Sequence, residues 1–139
     1  MFWNKILIYQ SLLVLNMDEE NMLEKIKIIT SEIKNKKGQD IVTINLKTIP
    51  NPPCSFFVIC TGNSNRQIQA IAKSVEKKLI EELETKPWQK EGKNSDWILI
   101  DYVDTVIHIF KKEARDFYDL QELWNDGIIK KIKSEQKDK

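Results

Sequence analysis

Apolar and polar residues follow one another along this chain with spacings that change from segment to segment, and each spacing predicts an element. Apolar residues at steps of three and four between Met22 and Ile33 predict an amphipathic helix. The alternating, β-branched segment 41–46 predicts a first strand. A continuous apolar run that opens at Phe56 is too short for a helix, so it predicts a buried second strand over 54–61.

A long helix over 64–84 is predicted to follow the second strand through a short polar turn. Ser64 and Gln67 have the spacing of a capping box, in which the hydroxyl accepts a backbone N–H and the glutamine side chain bonds back to the cap. Apolar residues then recur at helical steps as far as Leu83. A strand that leads into a helix in this way is the basic unit of an α/β domain.

Two later segments, 97–102 and 105–110, are short, apolar and rich in β-branched residues, and they predict a hairpin. A two-residue loop between them would place Trp97 opposite His108. A wider loop is the alternative, because a β-branched residue such as Val103 resists the positive φ that a tight hairpin turn requires.

The remaining patterns complete the predicted fold. A short edge strand is predicted at 87–89, and one helix or two short ones at 113–125. The predicted order is α-β-β-α-β-β-β-α, an α/β (α+β) fold with a single mixed sheet of about five strands flanked by helices. We expect one domain over 17–127, an N-terminal extension over 1–16 and a basic, flexible tail over 128–139.

The N-terminal segment 1–16 is unusually apolar, and a more typical helix start follows it at Met17. There Asp18 can cap the helix, and Glu19 and Glu20 suit its positive end. The apolar segment is too short to cross a bilayer comfortably and lacks the charge and cleavage site of a signal peptide. We expect translation to start at Met17, which leaves 1–16 as a non-native or disordered extension; the alternative is a segment that packs on the domain or on a membrane.

The amino-acid composition restricts the possible functions more than it restricts the possible folds. The 139 residues suffice for one domain. Because 22 basic and 21 acidic residues leave a net charge of +1, binding to nucleic acid by charge alone is disfavoured. Cys54 and Cys60 are too far apart along an extended strand for a disulfide, so we expect reduced thiols, as in a cytosolic protein.

Few residues offer catalytic chemistry. His108 is the only histidine, and it lies in an apolar strand, where a half-buried structural residue is more typical than a catalytic one. One pair of cysteines does not make a metal site. The residues alone therefore favour a binding module over an enzyme.

Four segments in order, 56–72, 97–102, 106–110 and 115–124, resemble the motifs of the ribosomal silencing factors, the Iojap-like family. The similarity extends over 22–127. It implies a nucleotidyltransferase-like outline without catalysis and without a cofactor or metal. It also implies a cytoplasmic regulator that binds the fourteenth protein of the large ribosomal subunit (the uL14 family) and no membrane. By its bulk, such a protein blocks joining of the small subunit and represses translation under nutrient limitation.

Residues that match the family motifs supply the candidate contacts. A ribosomal protein partner should be basic, so acidic groups are expected to steer it, and large aromatic side chains are expected to anchor it. Arg66, at the start of the long helix, is a candidate contact to adjacent ribosomal RNA or to the capping turn. For the segment 118–124, packing in the core is the alternative. The candidate partner contacts are Trp97, Asp101, Tyr102, Asp104, Tyr118, Asp119 and Trp124.

Two other functions stay open at this point. A nucleotidyltransferase-like enzyme would bind nucleotide and magnesium at the loop 61–64 with the help of Asp101 and Asp104. Nucleotidyltransferases use a Gly-Ser loop followed by an Asp-x-Asp pair, however, and no such pair follows this loop. The second alternative is a homodimer that acts away from the ribosome, since members of the family can self-associate when free.

Overall fold

The computed structural model describes residues 2–93 and 95–133, with only the backbone for 2–3 and 11–16. It confirms the α/β (α+β) prediction of one mixed sheet flanked by helices. The elements are α1 (Phe2–Asn35), β1 (Gln39–Asn45), β2 (Phe56–Gly62), α2 (Asn65–Leu83), β3 (Gln89–Glu91), β4 (Trp97–Asp101), β5 (Thr105–Lys111), α3 (Lys112–Tyr118), α4 (Leu120–Leu123) and β6 (Ile128–Lys131).

The strands lie in the order β3-β4-β5-β2-β1-β6. Central strands β2 and β5 are parallel, whereas every other neighbouring pair is antiparallel. A parallel pair needs a crossover connection, and α2 supplies it. Helices α1 and α2 cover one face of the sheet and bury the larger hydrophobic core against it.

The sixth strand corrects the prediction of a flexible tail over 128–139. Strand β6 pairs with β1, with Val42 opposite Lys131 and Asn45 opposite Ile128. Gly127 allows the close approach, because a Cβ there would lie 2.8 Å from the backbone oxygen of Asn45. The lysines of this segment suggested a solvated tail, but backbone pairing at a sheet edge leaves lysine side chains exposed. Residues 134–139 lie outside the described part.

The cap at Ser64 is confirmed, although Gln67 bonds back to Asn63 and not to Ser64, and the same glutamine joins the two long helices. The backbone N–H of Gln67 donates to Ser64 Oγ at 3.0 Å, and Gln67 Oε1 accepts the N–H of Asn63 at 2.5 Å. The same glutamine donates from Nε2 to the carbonyl oxygens of Lys36 and Lys37, just beyond α1. One side chain therefore satisfies the start of α2 and the end of α1 together.

Helix α1 begins at Phe2, so the predicted helix start at Asp18 is wrong. The part that packs on the sheet runs from Met22 to Ile33, whereas Leu7 and Ile8 lie exposed. The expectation that translation starts at Met17 stays a prediction. Among the described residues, no helix is long and apolar enough to span a membrane.

The N–H of Tyr102 donates to the backbone oxygen of Thr105 at 2.8 Å, so Val103 and Asp104 form the loop of the β4–β5 hairpin. The predicted register is wrong. Trp97 lies opposite Phe110, not His108, which pairs with Leu99. Val103 occupies the loop with φ of 75°, in the left-handed region that a β-branched residue strongly disfavours. Its N–H donates to the Asp101 carboxylate at 2.7 Å. The hydrogen bond with Asp101 therefore stabilises a turn conformation that valine disfavours.

Both cysteines are buried free thiols, as predicted. Burial raises the pKa of Cys60 to about 12 and that of Cys54 to about 11. The thiols therefore stay protonated and unreactive in the folded chain.

His108 is buried on the face of the sheet opposite α1 and α2. Its Nδ1 accepts a hydrogen bond from the indole Nε1–H of Trp97 at 3.1 Å. Burial lowers the pKa of His108 to about 4, because the surroundings disfavour the charged imidazolium. The geometry makes His108 a neutral structural residue.

We predict that glycine at position 103 stabilises the protein. Val103→Gly removes the cost of positive φ and should raise the free energy of unfolding by about 1 kcal/mol, measured by urea denaturation. Val103→Ala is the matched control, because it removes the same exposed methyl groups but keeps a Cβ. An equal gain from alanine would show that the backbone conformation is not the cause.

We predict that His108 makes the protein less stable in acid. Its folded pKa lies below the unfolded value of 6.5, so its contribution is complete above pH 6.5 and is lost as pH falls towards 4. Between pH 7.5 and 4.5 the loss should be about 2–3 kcal/mol more in the wild type than in His108→Phe. Since His108 is the only histidine, its imidazole signal can be titrated directly by NMR. A midpoint near the unfolded value would contradict this prediction.

Candidate functional site

The face of the sheet opposite α1 and α2 is only partly covered. A second, smaller core lies there, under the short helices α3 and α4. Several rings contact one another across β2, β5, β4 and α3. We call this surface the aromatic face, and it consists of Phe57, Trp97, His108, Phe110, Tyr118 and Trp124.

Trp97 lies at the centre of the aromatic face, and its ring is held from several sides. It stacks on Phe110 with a centroid distance of 4.8 Å and contacts Tyr118 at 4.6 Å. The bond from its indole N–H to His108 fixes the rotation of the ring. Trp97 is nevertheless only half-buried. It is therefore a rigid aromatic group that is partly accessible to solvent.

Helix α3 extends this surface with large side chains that are mostly exposed. Tyr118 is 49% exposed, and Phe117 next to it is 80% exposed. Their rings meet edge to face at 5.0 Å. Leu123 on α4 is 68% exposed. Core packing, the alternative expected for the segment 118–124, does not hold for Leu123, because Asp119 takes a left-handed conformation and ends α3 before it.

Trp124 packs against the second core, together with Leu120. It is half-buried and lies perpendicular to Phe57, with 5.7 Å between the ring centroids. Most contacts of the Trp124 ring are therefore with other side chains of the fold, as expected if this segment packs in the core.

Asp101 and Asp119 lie at two separate turns on the side of the aromatic face. Asp101 projects to the same side of β4 as Trp97, and its Oδ1 accepts the N–H of Val103. Asp119 is exposed, and its Oδ1 accepts the N–H of Glu122 at 3.4 Å, the start of α4. Each carboxylate therefore supports a local turn while remaining accessible to a partner.

Tyr102 and Asp104 both contact the α1 side of the fold. The burial of Tyr102 corrects its expected contact to a partner, whereas the contact expected of Asp104 stays a prediction. Tyr102 is 5% exposed and packs in the core under α1 and α2. Burial raises the pKa of its hydroxyl. Asp104 forms an ion pair with Lys25 of α1, with 2.9 Å between Oδ1 and Nζ. Tyr102 therefore offers no ring to a partner, and the charge of Asp104 is already matched within the chain.

Arg66 is exposed in the first turn of α2. The cap beside it is completed by Ser64 and Gln67, so a role in capping is not needed. Its contact to RNA stays a prediction.

The residues of the enzyme alternative do not come together. The pairing of β2 with β5 sets Phe56 opposite Thr105 and Gly62 opposite Lys111. The loop 61–64 and the aspartates at 101 and 104 thus lie at opposite ends of these strands, about 20 Å apart at 3.3 Å per residue. Within the described ranges, no cluster of three side chains suited to a metal is formed.

The chain matches a family model described as ribosomal silencing factor during starvation over residues 19–139. It is 38% identical over 105 residues to the ribosomal silencing factor RsfS of Halalkalibacterium halodurans, covering 75% of this chain and 88% of that protein. It is 33% identical over 110 residues to RsfS of Bacillus subtilis, covering 78% and 92%.

Solved structures agree with these relatives. An X-ray crystal structure of a Chromobacterium violaceum protein matches with a TM-score of 0.69 and 33% identity, covering 74% of this chain and 85% of that one. The match in sequence and the match in fold thus extend over most of both chains. This chain belongs to the ribosomal silencing factor family, and its role is in the ribosome-associated silencing of translation.

Proposed function

We propose that this chain binds the fourteenth protein of the large ribosomal subunit through its aromatic face and sterically blocks joining of the small subunit. The observation that carries the proposal is the half-buried, rigidly held Trp97 beside the exposed Tyr118, on the side of the sheet that α1 and α2 leave uncovered. Such inhibition needs occupation of a surface and no reaction. It would act in the cytoplasm, where nutrient limitation lowers translation.

The exposed rings suit a protein interface. Tryptophan and tyrosine dominate the residues whose truncation weakens protein complexes most. Trp97 and Tyr118 support each other, so a partner need not immobilise them on binding, and less conformational entropy is lost. Phe117 and Leu123 add exposed apolar area around them. A second copy of the chain is a competing occupant of this surface when the protein is free.

Charge would steer the partner to this face. Asp101 and Asp119 carry carboxylates on its side, and a basic ribosomal protein would associate with them faster than with a neutral surface. Arg66 lies on α2 and would be a separate contact, to ribosomal RNA beside the protein partner. We leave Tyr102 and Asp104 out of the proposed interface, because the fold already uses both.

Purified chain mixed with separated ribosomal subunits tests the proposal. On a sucrose gradient the chain should sediment with large subunits and reduce the peak of joined ribosomes. Sedimentation with small subunits, or joined ribosomes in undiminished amount, would refute it.

Tyr118→Ala should weaken binding to large subunits by at least tenfold, because truncation of a central aromatic contact costs about 2 kcal/mol. Trp88→Ala is the matched control, since Trp88 is 71% exposed and precedes the outermost strand β3, away from the rings of the aromatic face. It should change affinity by less than about twofold. Equal losses from both variants would place the interface elsewhere. Both variants should remain folded, as checked by thermal melting.

Asp101→Asn with Asp119→Asn should slow association with large subunits by about fivefold at low salt and less at high salt, because opposite charges steer encounter. Asparagine keeps an oxygen for the hydrogen bonds at both turns. Asp104→Asn is the control, and it should leave association unchanged while removing the ion pair with Lys25. If Asp104→Asn alone slowed association to the same extent, the hairpin tip would belong to the interface. Stopped-flow mixing at two salt concentrations separates these outcomes.

A further inference from the structure

Arg115 of α3 crosses from its helix to the end of the two adjacent strands β1 and β2. Its Nη1 donates to the backbone oxygen of Asp40 at 2.5 Å and to Thr61 Oγ1 at 2.8 Å. Its Nη2 donates to Gln121 Oε1 at 2.6 Å. All three acceptors are neutral, and they account for three of the five N–H groups of a guanidinium.

A cavity of about 340 Å³ opens beside this guanidinium. Such a volume lies within the range of small-molecule sites, roughly 300–1,000 Å³. Its walls come from β1, β2, α3 and β6. Its charged lining consists of Asp40, Lys112, Arg115, Asp116 and Lys131.

The balance of these charges is positive, with three cations against two carboxylates. Lys112 forms an ion pair with Asp116, with 3.2 Å between Nζ and Oδ2. Arg115 is half-buried, and its hydrogen bonds in the described part of the chain go to uncharged oxygens. Burial lowers the pKa of Arg115, and the carboxylates of Asp40 and Asp116 oppose this shift only in part. A cation held in this way gains from an anion at its remaining donors.

We propose that the cavity binds a phosphate group, with Arg115 as the hydrogen-bonding fork and Lys131 as a second positive charge. Arginine suits this role because its planar N–H groups match the oxygens of a phosphate. The two cations reach the cavity from different elements, α3 and β6, and a tetrahedral phosphate presents oxygens in several directions. The phosphate could come from the backbone of RNA or from a free nucleotide. The proposal does not depend on the contact to the ribosomal protein.

The test uses the full chain and three probes: inorganic phosphate, adenosine 5′-monophosphate and a uridine hexanucleotide. Binding is followed by NMR shifts of the Arg115 side chain and the surrounding amides, and we expect dissociation constants of about 1–10 mM for inorganic phosphate. Lys131→Gln should weaken phosphate binding by at least fivefold. Lys130→Gln is the matched control: it makes the same change in charge one residue away, on the opposite side of β6, and should weaken binding less than twofold.

Arg115→Lys keeps the charge but loses the planar fork, and it should also weaken binding by at least fivefold. If this variant does not fold, the comparison of the two lysine variants decides the question. Tighter binding of the hexanucleotide than of the mononucleotide identifies RNA as the source, and the reverse identifies a nucleotide. The proposal is wrong if none of the probes binds at about 50 mM, or if the two lysine variants lose affinity equally. Failure of phosphate binding would leave the outcome expected of the sucrose gradient unchanged, so the two proposals can fail separately.

Discussion

The parallel pairing of β2 with β5 is the constraint on which the rest of the molecule depends. It joins seven residues of each strand, from Phe56 opposite Thr105 to Gly62 opposite Lys111. Because parallel strands cannot be joined by a tight turn, the chain must cross the sheet through α2, which covers one face. The same register sets Thr61 beside Phe110, and the β4 pairing sets Trp97 on the other side of Phe110. Helix α3 follows β5 directly and lies over this row of side chains.

The two faces of the sheet are consequently unequal. The side under α1 and α2 is a closed hydrophobic core, whereas α3 and α4 are too short to close the other side. Trp97 and Tyr118 are left partly exposed there, at one end of the row, and Arg115 lies over Thr61 at the other. A single structural feature thus accounts for both the proposed protein-binding surface and the proposed phosphate site.

Hydrogen bonds between residues close in sequence could be predicted. Ser64 and Gln67 form the expected cap, because both partners lie within one helical turn. The sequence also indicates that Tyr102 cannot be a partner contact. Side chains alternate between the two faces of β4, and Tyr102 shares its face with the buried Ile98 and Ile100. The family resemblance makes Tyr102 a candidate contact, but strand alternation assigns its side chain to the buried side.

The class of fold, the central strands, the cap of α2 and the family can be read from the sequence, since each depends on residues close together or on motifs in order. Only the tertiary structure decided that β6 completes the sheet, that Lys25 neutralises Asp104 and that Arg115 bonds to Thr61. The two side-chain contacts join residues 79 and 54 positions apart. Spacing along a chain carries no signal for such contacts, because they exist only once the sheet has brought distant strands and helices together.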